Sequence, residues 1–576
     1  MRDLAERGVL RGNRSAYEST ADVGEVSLPA TLQATIAARI DRLDPKAKRT
    51  LSAAAVIGSR FSRELLEKLG IEPILEDLVV AELVDQVRFT RGPEYVFHHP
   101  LIRTVAYEAQ LKSDRAELHR RVAAAIESGD LAAADENAAL IAEHLEAAGD
   151  LHAAFIWHMR AGTWSTHRDI VAAQASWRRA RQVADRLPAD DPDRTAMRIA
   201  PRTRLSGSAW RVGGTGADPG FDELRELCVA ARDQRSLAIG MTGLVMARYL
   251  NARRREASLL ATEHVRLLES IGDPTLTAAR SFAALFAKFE TGEVAEVLRL
   301  AQRVIDLADQ DPTKRDRLFG SPLTLAIAYR GAARCCLGMA GWKSDFKHAV
   351  AMARAVEPVT LATVMTYTYM AAILNGAMLP DETARDTAEA LAIAERSGDD
   401  FALAIARAAR GFTLVHLGGP GRRRGMELLL QVREAAMQDR YGLLVVPLVD
   451  VEIATEKARS GDLDGAIDQF RAVVDDLIDS GGNFWTARAT AAFVEALLQR
   501  GGDTDLGDAQ AAIDRLEAVP TDPGFVLRDI WLLRLRALLA QARGDAAAYT
   551  HFRDRYRDTA KTLGFEGHIA WAEAMA

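Results

Sequence analysis

From Asp114 onward the chain carries helical apolar periodicity and essentially no strand signal, and that periodicity is broken at regular steps. Breaks lie at Gly149-Asp150, Asn251-Ala252, Gly292-Glu293, Gly341, Ala377-Met378, Gly418-Gly419, Gly461-Asp462, Gly501-Gly502 and Gly544-Asp545. A second set, Gly272-Asp273, Gly398-Asp399 and Gly481-Gly482, falls between them. Glycine ends a helix by accepting a left-handed conformation, and aspartate caps the next one, so each break marks a turn between paired helices. Such a pair cannot bury its apolar face alone, and only a stack of pairs is stable.

From Asn251 the step is roughly 40 residues, somewhat longer than the 34 of the commonest tetratricopeptide repeat (TPR). The expectation is an almost all-α chain with a TPR-like α-helical superhelix over 221–576 and the first helical repeats over 113–187. Asp464, Ala466, Phe470 and Val474 illustrate the helical register, and Phe565 to Ala576 supplies the last helix with its lead-in. Residues 188–220, with Gly207, Gly213, Gly214, Gly216 and Gly220, read as a loop-rich junction.

The front of the chain is different. Gly8-Val9-Leu10, a turn at Gly12-Asn13, and Tyr17 suggest a small hairpin in 1–27, too poor in apolar surface to stand alone. Over 28–112, Pro29 opens a helix carrying Leu32, Ile36, Ile40 and Leu43, and Asp44-Pro45 caps and starts another. Helices over 62–69 and 73–85 follow, then a hairpin of 87–90 and 95–97 around Arg91-Gly92-Pro93-Glu94. Helices followed by a two-stranded wing outline a winged-helix module. Pro100 then opens a helix with Leu101, Ile102, Val105 and Ala106 on one stripe, which puts His99 at the N-cap.

At 576 residues the chain exceeds one core, and 48% hydrophobic with 27% charged residues is ordinary globular chemistry. A net charge of −7 argues against a nucleic-acid-coating surface. Cys228, Cys335 and Cys336 form neither a disulfide framework nor a zinc pattern, and the adjacent pair reads as small apolar residues on a buried helix. The most apolar stretch, Leu443 to Val449, is too short to span a bilayer, so no membrane contact and a cytoplasmic location are expected.

A phosphate-cradling loop needs Gly-x-x-x-x-Gly-Lys-Ser/Thr, and the chain has no Gly-Lys dipeptide. Gly341-Trp342-Lys343-Ser344 is read as a repeat turn. Gly213-Gly214-Thr215-Gly216 lacks both a preceding strand and the third glycine, which is Pro219. No Gly-x-Ser-x-Gly elbow or His-Glu-x-x-His helix appears, and no catalytic or metal-ligating residue is assigned. Two basic runs, Arg253-Arg254-Arg255 and Arg422-Arg423-Arg424, read chiefly as solvated helix ends, with a docking patch for an acidic partner as the sharper alternative. His99 carries the most information: an N-cap imidazole faces free helix N–H groups, where phosphate is readily accommodated. Its neighbour His98 points the other way along the strand.

Leu28 to Leu43, Ala53 to Phe61, Phe97 to Tyr107 and Glu117-Leu118-His119-Arg120-Arg121 resemble the region after the ATPase core in bacterial multidomain signalling proteins. These are the class III adenylate/guanylate cyclases with an AAA-type ATPase and TPR repeats, and the LuxR-type STAND regulators. Leu563-Gly564-Phe565-Glu566-Gly567-His568 with Trp571 to Met575 resembles the end of the cyclase branch. The resemblance implies that 1–27 is a remnant of the ATPase lid, and that the cyclase domain and P-loop would lie upstream of Met1. It also implies that His99 matches a histidine that senses the nucleotide phosphate and holds the off state. ATP or ADP would then be bound only if a partner supplied the P-loop.

The function expected is a non-catalytic signalling scaffold. Its repeats would bind a protein or peptide on their concave surface, and its winged helix would couple to an ATPase or cyclase polypeptide. The alternatives are a fragment of an ATP-dependent adenylate cyclase or STAND ATPase, and a transcriptional regulator.

Overall fold

A computed structural model of the chain describes residues 10–13, 16–19, 30–88, 92–128, 131–166, 168–211, 220–307 and 321–575. They divide into two compact units, Met1–Trp164 with Arg179–Ala189, and Ser165–Arg178 with Asp190–Ala576. Helices dominate both, and the fold is an all-α repeat architecture with little strand.

In the first unit the strands β1 (Leu10–Asn13) and β2 (Ala16–Ser19) pair antiparallel. Asn13 lies opposite Ala16, so the reversal falls after Gly12-Asn13 and not on it. Helix Pro45–Ile57 begins as its sequence requires, with Asp44 accepting from the Lys46 N–H and proline in the first turn. A strand the sequence reading missed, β3 (Arg60–Ser62), follows it. Helix Arg63–Lys68 is capped by Ser62, which accepts from the Leu65 N–H.

The helix expected over 73–85 is cut short to Leu75–Val80. The Leu83 N–H closes back on the Leu78 carbonyl, with Glu82 left-handed at φ 52°, and burying Leu83 and Val84 starts β4 (Val84–Arg88). With β5 (Glu94–Phe97) this makes a three-stranded antiparallel sheet in the order β3-β5-β4. Phe61, Tyr95 and Phe97 face inward from it onto Leu51, Leu66, Leu78 and Ile102.

The second unit is a helical array with one correction to the sequence reading. The expected junction 188–220 contains a helix, Arg194–Ser208, with Pro201 inside it. Gly207 is a packing residue and not a loop signal: it lets this helix cross Gln234–Leu250 closely. A Cβ on Gly243 would sit 1.9 Å from the Ser206 carbonyl oxygen. Residues 212–219, with the Gly213-Gly214-Thr215-Gly216 run, lie outside the described residues.

Beyond it the anticipated turns are present. Left-handed glycines end helices at Gly272, Gly398, Gly481, Gly501 and Gly564, while Ala252 and Gly376 take that role at their turns. Helix Leu463–Ser480 buries Ala466, Phe470 and Val474 as its register requires. Cys335 and Cys336 end the buried helix Pro322–Cys336. No described helix is long and apolar enough to cross a membrane.

Candidate functional site

His99 sits where the sequence placed it, in extended conformation at the start of helix Pro100–Glu108. Its Nδ1 accepts the Leu101 N–H at 3.2 Å, so a neutral ring carries its proton on Nε2. The side chain is exposed. His98 turns away and bonds through Nδ1 to Asp85 at 2.9 Å. Arg103, one turn into the helix, donates to the Ala55 carbonyl and ties this corner to helix Pro45–Ile57.

The basic runs divide between surface and interior: Arg253, Arg255, Arg423 and Arg424 are exposed, and Arg254 is not. Arg254 is among the most deeply buried side chains in the molecule, at 1% exposure. Its Nε donates to Glu290 at 3.3 Å, Nη1 to Ser480 Oγ at 2.8 Å and Nη2 to the Leu444 carbonyl at 3.3 Å. Arg253 pairs with Glu256 at 2.8 Å, and Arg255 donates to the Ile478 carbonyl. In the other run Arg422 is held by Glu456 and the Val415 carbonyl. Arg424 pairs with Glu427 at 3.1 Å, and Arg423 is nearly fully exposed. The docking reading fails for Arg254 outright, because a guanidinium committed to three partners in the interior offers nothing to a partner. An i-to-i+4 stripe would have flagged a core arginine, but a triplet conceals which of its members turns inward.

Arg254 instead belongs to a seam between two stretches of the array. Residues 249–295 meet 441–525 across it. Trp485 donates its indole N–H to both Glu290 oxygens, at 3.0 and 3.1 Å. Asn483 donates to the Thr291 and Pro520 carbonyls, and Asp522 accepts from the Ala295 N–H at 2.7 Å. Phe289 and Phe484 pack with ring centroids 4.2 Å apart. Further along, Gly376 accepts the His568 N–H, and His568 Nε2 bonds the Asn375 carbonyl at 3.0 Å. The inner faces of helices from these stretches therefore meet each other along the seam.

Where they do not meet, a cavity remains. Tyr249, Phe286, Glu290, Thr363, Tyr367, Phe401, Tyr441 and Trp485 border it. Tyr249 and Tyr367 are hydrogen-bonded hydroxyl to hydroxyl, and burial pushes both phenols far above their ordinary range. Burial also raises the Glu290 carboxyl, with Arg254 and Trp485 pulling the other way. One wall is a π-helical turn, Thr366–Met370, within the helical run from Pro358 to Leu374. Such turns displace the backbone ladder and concentrate at functional sites.

None of these residues was singled out from the sequence. The available signal was helix Phe282–Glu290, apolar from Phe282 to Ala287, which marks a central helix and makes Lys288 and Glu290 in its last turn conspicuous.

No protein-family model matches the chain, and no curated protein matches it in sequence. Among solved structures it is similar to a signal transduction ATPase with numerous domains (STAND) with a tetratricopeptide repeat sensor from Pyrococcus horikoshii. The identity is 12% and the TM-score 0.37, over 96% of this chain and 68% of that one. Yeast Tom70 is similar at 12% identity and a TM-score of 0.31, over 81% of this chain and 94% of that one. Human IFIT1, as a dimer with PPP-AAAA, is similar at 10% identity and a TM-score of 0.26, over 77% and 91%. None of the three reaches a TM-score of 0.5.

Proposed function

We propose that the chain is a non-catalytic regulatory protein whose helical array receives a signal and whose helix-and-sheet module relays it to another polypeptide. The observation that carries this reading is the seam. A buried ion pair within one stretch of the array, Arg254 with Glu290, is hydrogen-bonded to a distant stretch, Arg254 to Ser480 and the Leu444 carbonyl and Glu290 to Trp485. Buried polar clusters add little net stability but demand one geometry, so a joint made this way has discrete joined and parted states.

The front module supports the relay. Helix, β3, two short helices, then β4 and β5 in a β3-β5-β4 sheet is an order that supports reading this module as a winged helix. The second short helix, where a DNA-reading module would present cations, carries exposed Glu76 and Asp77, which repel phosphate. The module is therefore read as a protein-coupling element, with an ATPase or cyclase polypeptide as its partner. In that setting the Nε2–H of His99 is free to meet a nucleotide phosphate that the partner holds.

Hydrogen exchange on the full chain tests this. Amides of 290–293, 443–446 and 480–485 should exchange together, through an opening well below global unfolding in free energy. Exchange of the seam only through global unfolding would remove the two-state reading. ATP turnover by pure protein, abolished in His99→Ala, would overturn the non-catalytic assignment.

A further inference from the structure

We infer that an open cleft beside the seam is a binding site for a linear aliphatic polyamine, a molecule with positive charge at more than one point of an alkyl chain. This rests on the sensor reading and gives its signal a chemistry. The cleft offers about 440 Å³ of open volume, within the range of pockets that take small molecules. Its wall is made by the turn Asn251-Ala252, the start of helix Val446–Arg459 and one face of helix Leu463–Ser480. An occupant therefore touches both stretches that the seam joins. Leu443 in the wall is next in sequence to Leu444, whose carbonyl holds Arg254.

The wall combines apolar surface with acceptors. Leu443, Val446, Pro447 and Val473 supply the apolar part, which suits methylene groups. The polar side chains are Asn251, Asp450, Gln469 and Asp476. Asn251 spends its amide N–H on the Ala247 carbonyl at 2.8 Å, and Gln469 donates to the Asp450 carbonyl at 3.3 Å. Those bonds fix the orientation of both amides and leave their oxygens to accept. Asp450 gives one oxygen to Arg433 at 2.7 Å, and Asp476 has no hydrogen bond or ion pair among the described residues. These four side chains have acceptors left to offer, so the matching ligand brings N–H donors and positive charge. A carboxylate ligand would meet its own sign of charge, and a hard metal ion would leave the apolar surface unused.

The charge of helix Leu463–Ser480 points the same way. It carries five aspartates against one arginine, and no cation stands in its last turn. Asp475, Asp476 and Asp479 crowd its C-terminal end, where the helix dipole is already negative and like charges three or four positions apart repel. Arg515 answers Asp475 at 2.7 Å, while Asp476 and Asp479 are answered by no cation among the described residues. This placement costs stability by itself, and a cation beside it offsets the cost. The two carboxylates of the cleft stand on different helices, Asp450 on Val446–Arg459 and Asp476 on Leu463–Ser480. A chain charged at more than one point serves both, and a single ammonium does not.

The test is calorimetric titration of the full chain at near-physiological ionic strength, where diffuse attraction is screened. The probes are spermidine, octanediol as an uncharged counterpart of similar length, and magnesium chloride. Spermidine should bind saturably with one-to-one stoichiometry, and neither of the others should. Asp476→Asn, which keeps the shape and strands no partner, should weaken spermidine about tenfold, the worth of one charge-assisted hydrogen bond. Asp468→Asn removes an equal charge from the same helix away from the cleft wall and should leave binding close to unchanged. Ala472→Trp sets an indole into the cleft from an exposed position and should abolish binding with an unchanged circular dichroism spectrum. Absence of saturable spermidine binding at millimolar concentration, octanediol binding as tightly, equal losses in Asp468→Asn and Asp476→Asn, or full binding in Ala472→Trp would overturn the inference. Bound spermidine should also slow hydrogen exchange of 443–446 and 480–485, because it favours the joined seam. Seam opening without spermidine binding would sink this site and leave the sensor reading standing. Spermidine binding without slower seam exchange would establish the site and remove the sensor reading.

Discussion

Trp485 donates its indole N–H to both carboxylate oxygens of Glu290, a residue 195 positions earlier in the chain. On its other side Glu290 holds Arg254, so one buried carboxylate fastens two neighbouring helices, Arg254–Ile271 and Phe282–Glu290, to a third remote in sequence, Asn483–Arg500.

Breaking that cluster on one side should be far worse than removing its charges together. Glu290→Ala strands the Arg254 guanidinium and is expected to cost about 3–5 kcal/mol, read by urea denaturation. Pairing Glu290→Met with Arg254→Met should restore most of it. Additive losses would mean that the two charges are not coupled.

Five buried histidines, His158 among them, are held below their ordinary range chiefly by burial and should make the protein acid-sensitive. Burial lowers His119, His144 and His264 to about 4 and His568 to about 3, with nearby arginines adding to the effect. Unfolded, each titrates near 6.5. The unfolded chain therefore takes up protons first as pH falls. The stability these rings contribute is complete above about pH 6.5 and is lost as pH drops toward 4, by up to about 1.4 kcal/mol per pH unit for each. Denaturation midpoints between pH 7.5 and 4.5 (roughly the window the linkage defines) check this, and a flat profile would contradict it.

Two glycines with the same φ of +66° should respond differently to alanine. At Gly501 the new methyl meets open space, so only the left-handed backbone costs, about 1 kcal/mol. At Gly376 it would come 2.6 Å from the Trp571 ring, which is wedged against Trp531 and His568. Overpacking there adds about 1–3 kcal/mol, and the difference is read by thermal denaturation.

Cys228, Cys335 and Cys336 are buried, and burial pushes the Cys228 and Cys335 thiols up to about 12 and the Cys336 thiol well above its ordinary range. A thiol-reactive dye should titrate none of them in the native protein and all of them in denaturant. Rapid labelling of the folded chain would show an opening at these helices.

The local devices were legible because they act over a turn of chain. Asp44 and His99 as caps, the glycine stops and the apolar stripe of Leu463–Ser480 each involve residues a few positions apart. The reading failed where identical letters serve two purposes. Glycine in Arg194–Ser208 permits close helix packing and not a loop, and one arginine of three in a run turns inward. The strand β3 was too short to show alternation.

Sequence alone determined that this chain is a stack of helix pairs behind a small module with a strand hairpin, since caps, stops and periodicity are local. Only the tertiary structure decided that the stack closes through Arg254, Glu290 and Trp485 around an aromatic cavity. Contacts between residues nearly 200 positions apart depend on accumulated small rotations between successive pairs, and no short window of residues encodes that sum.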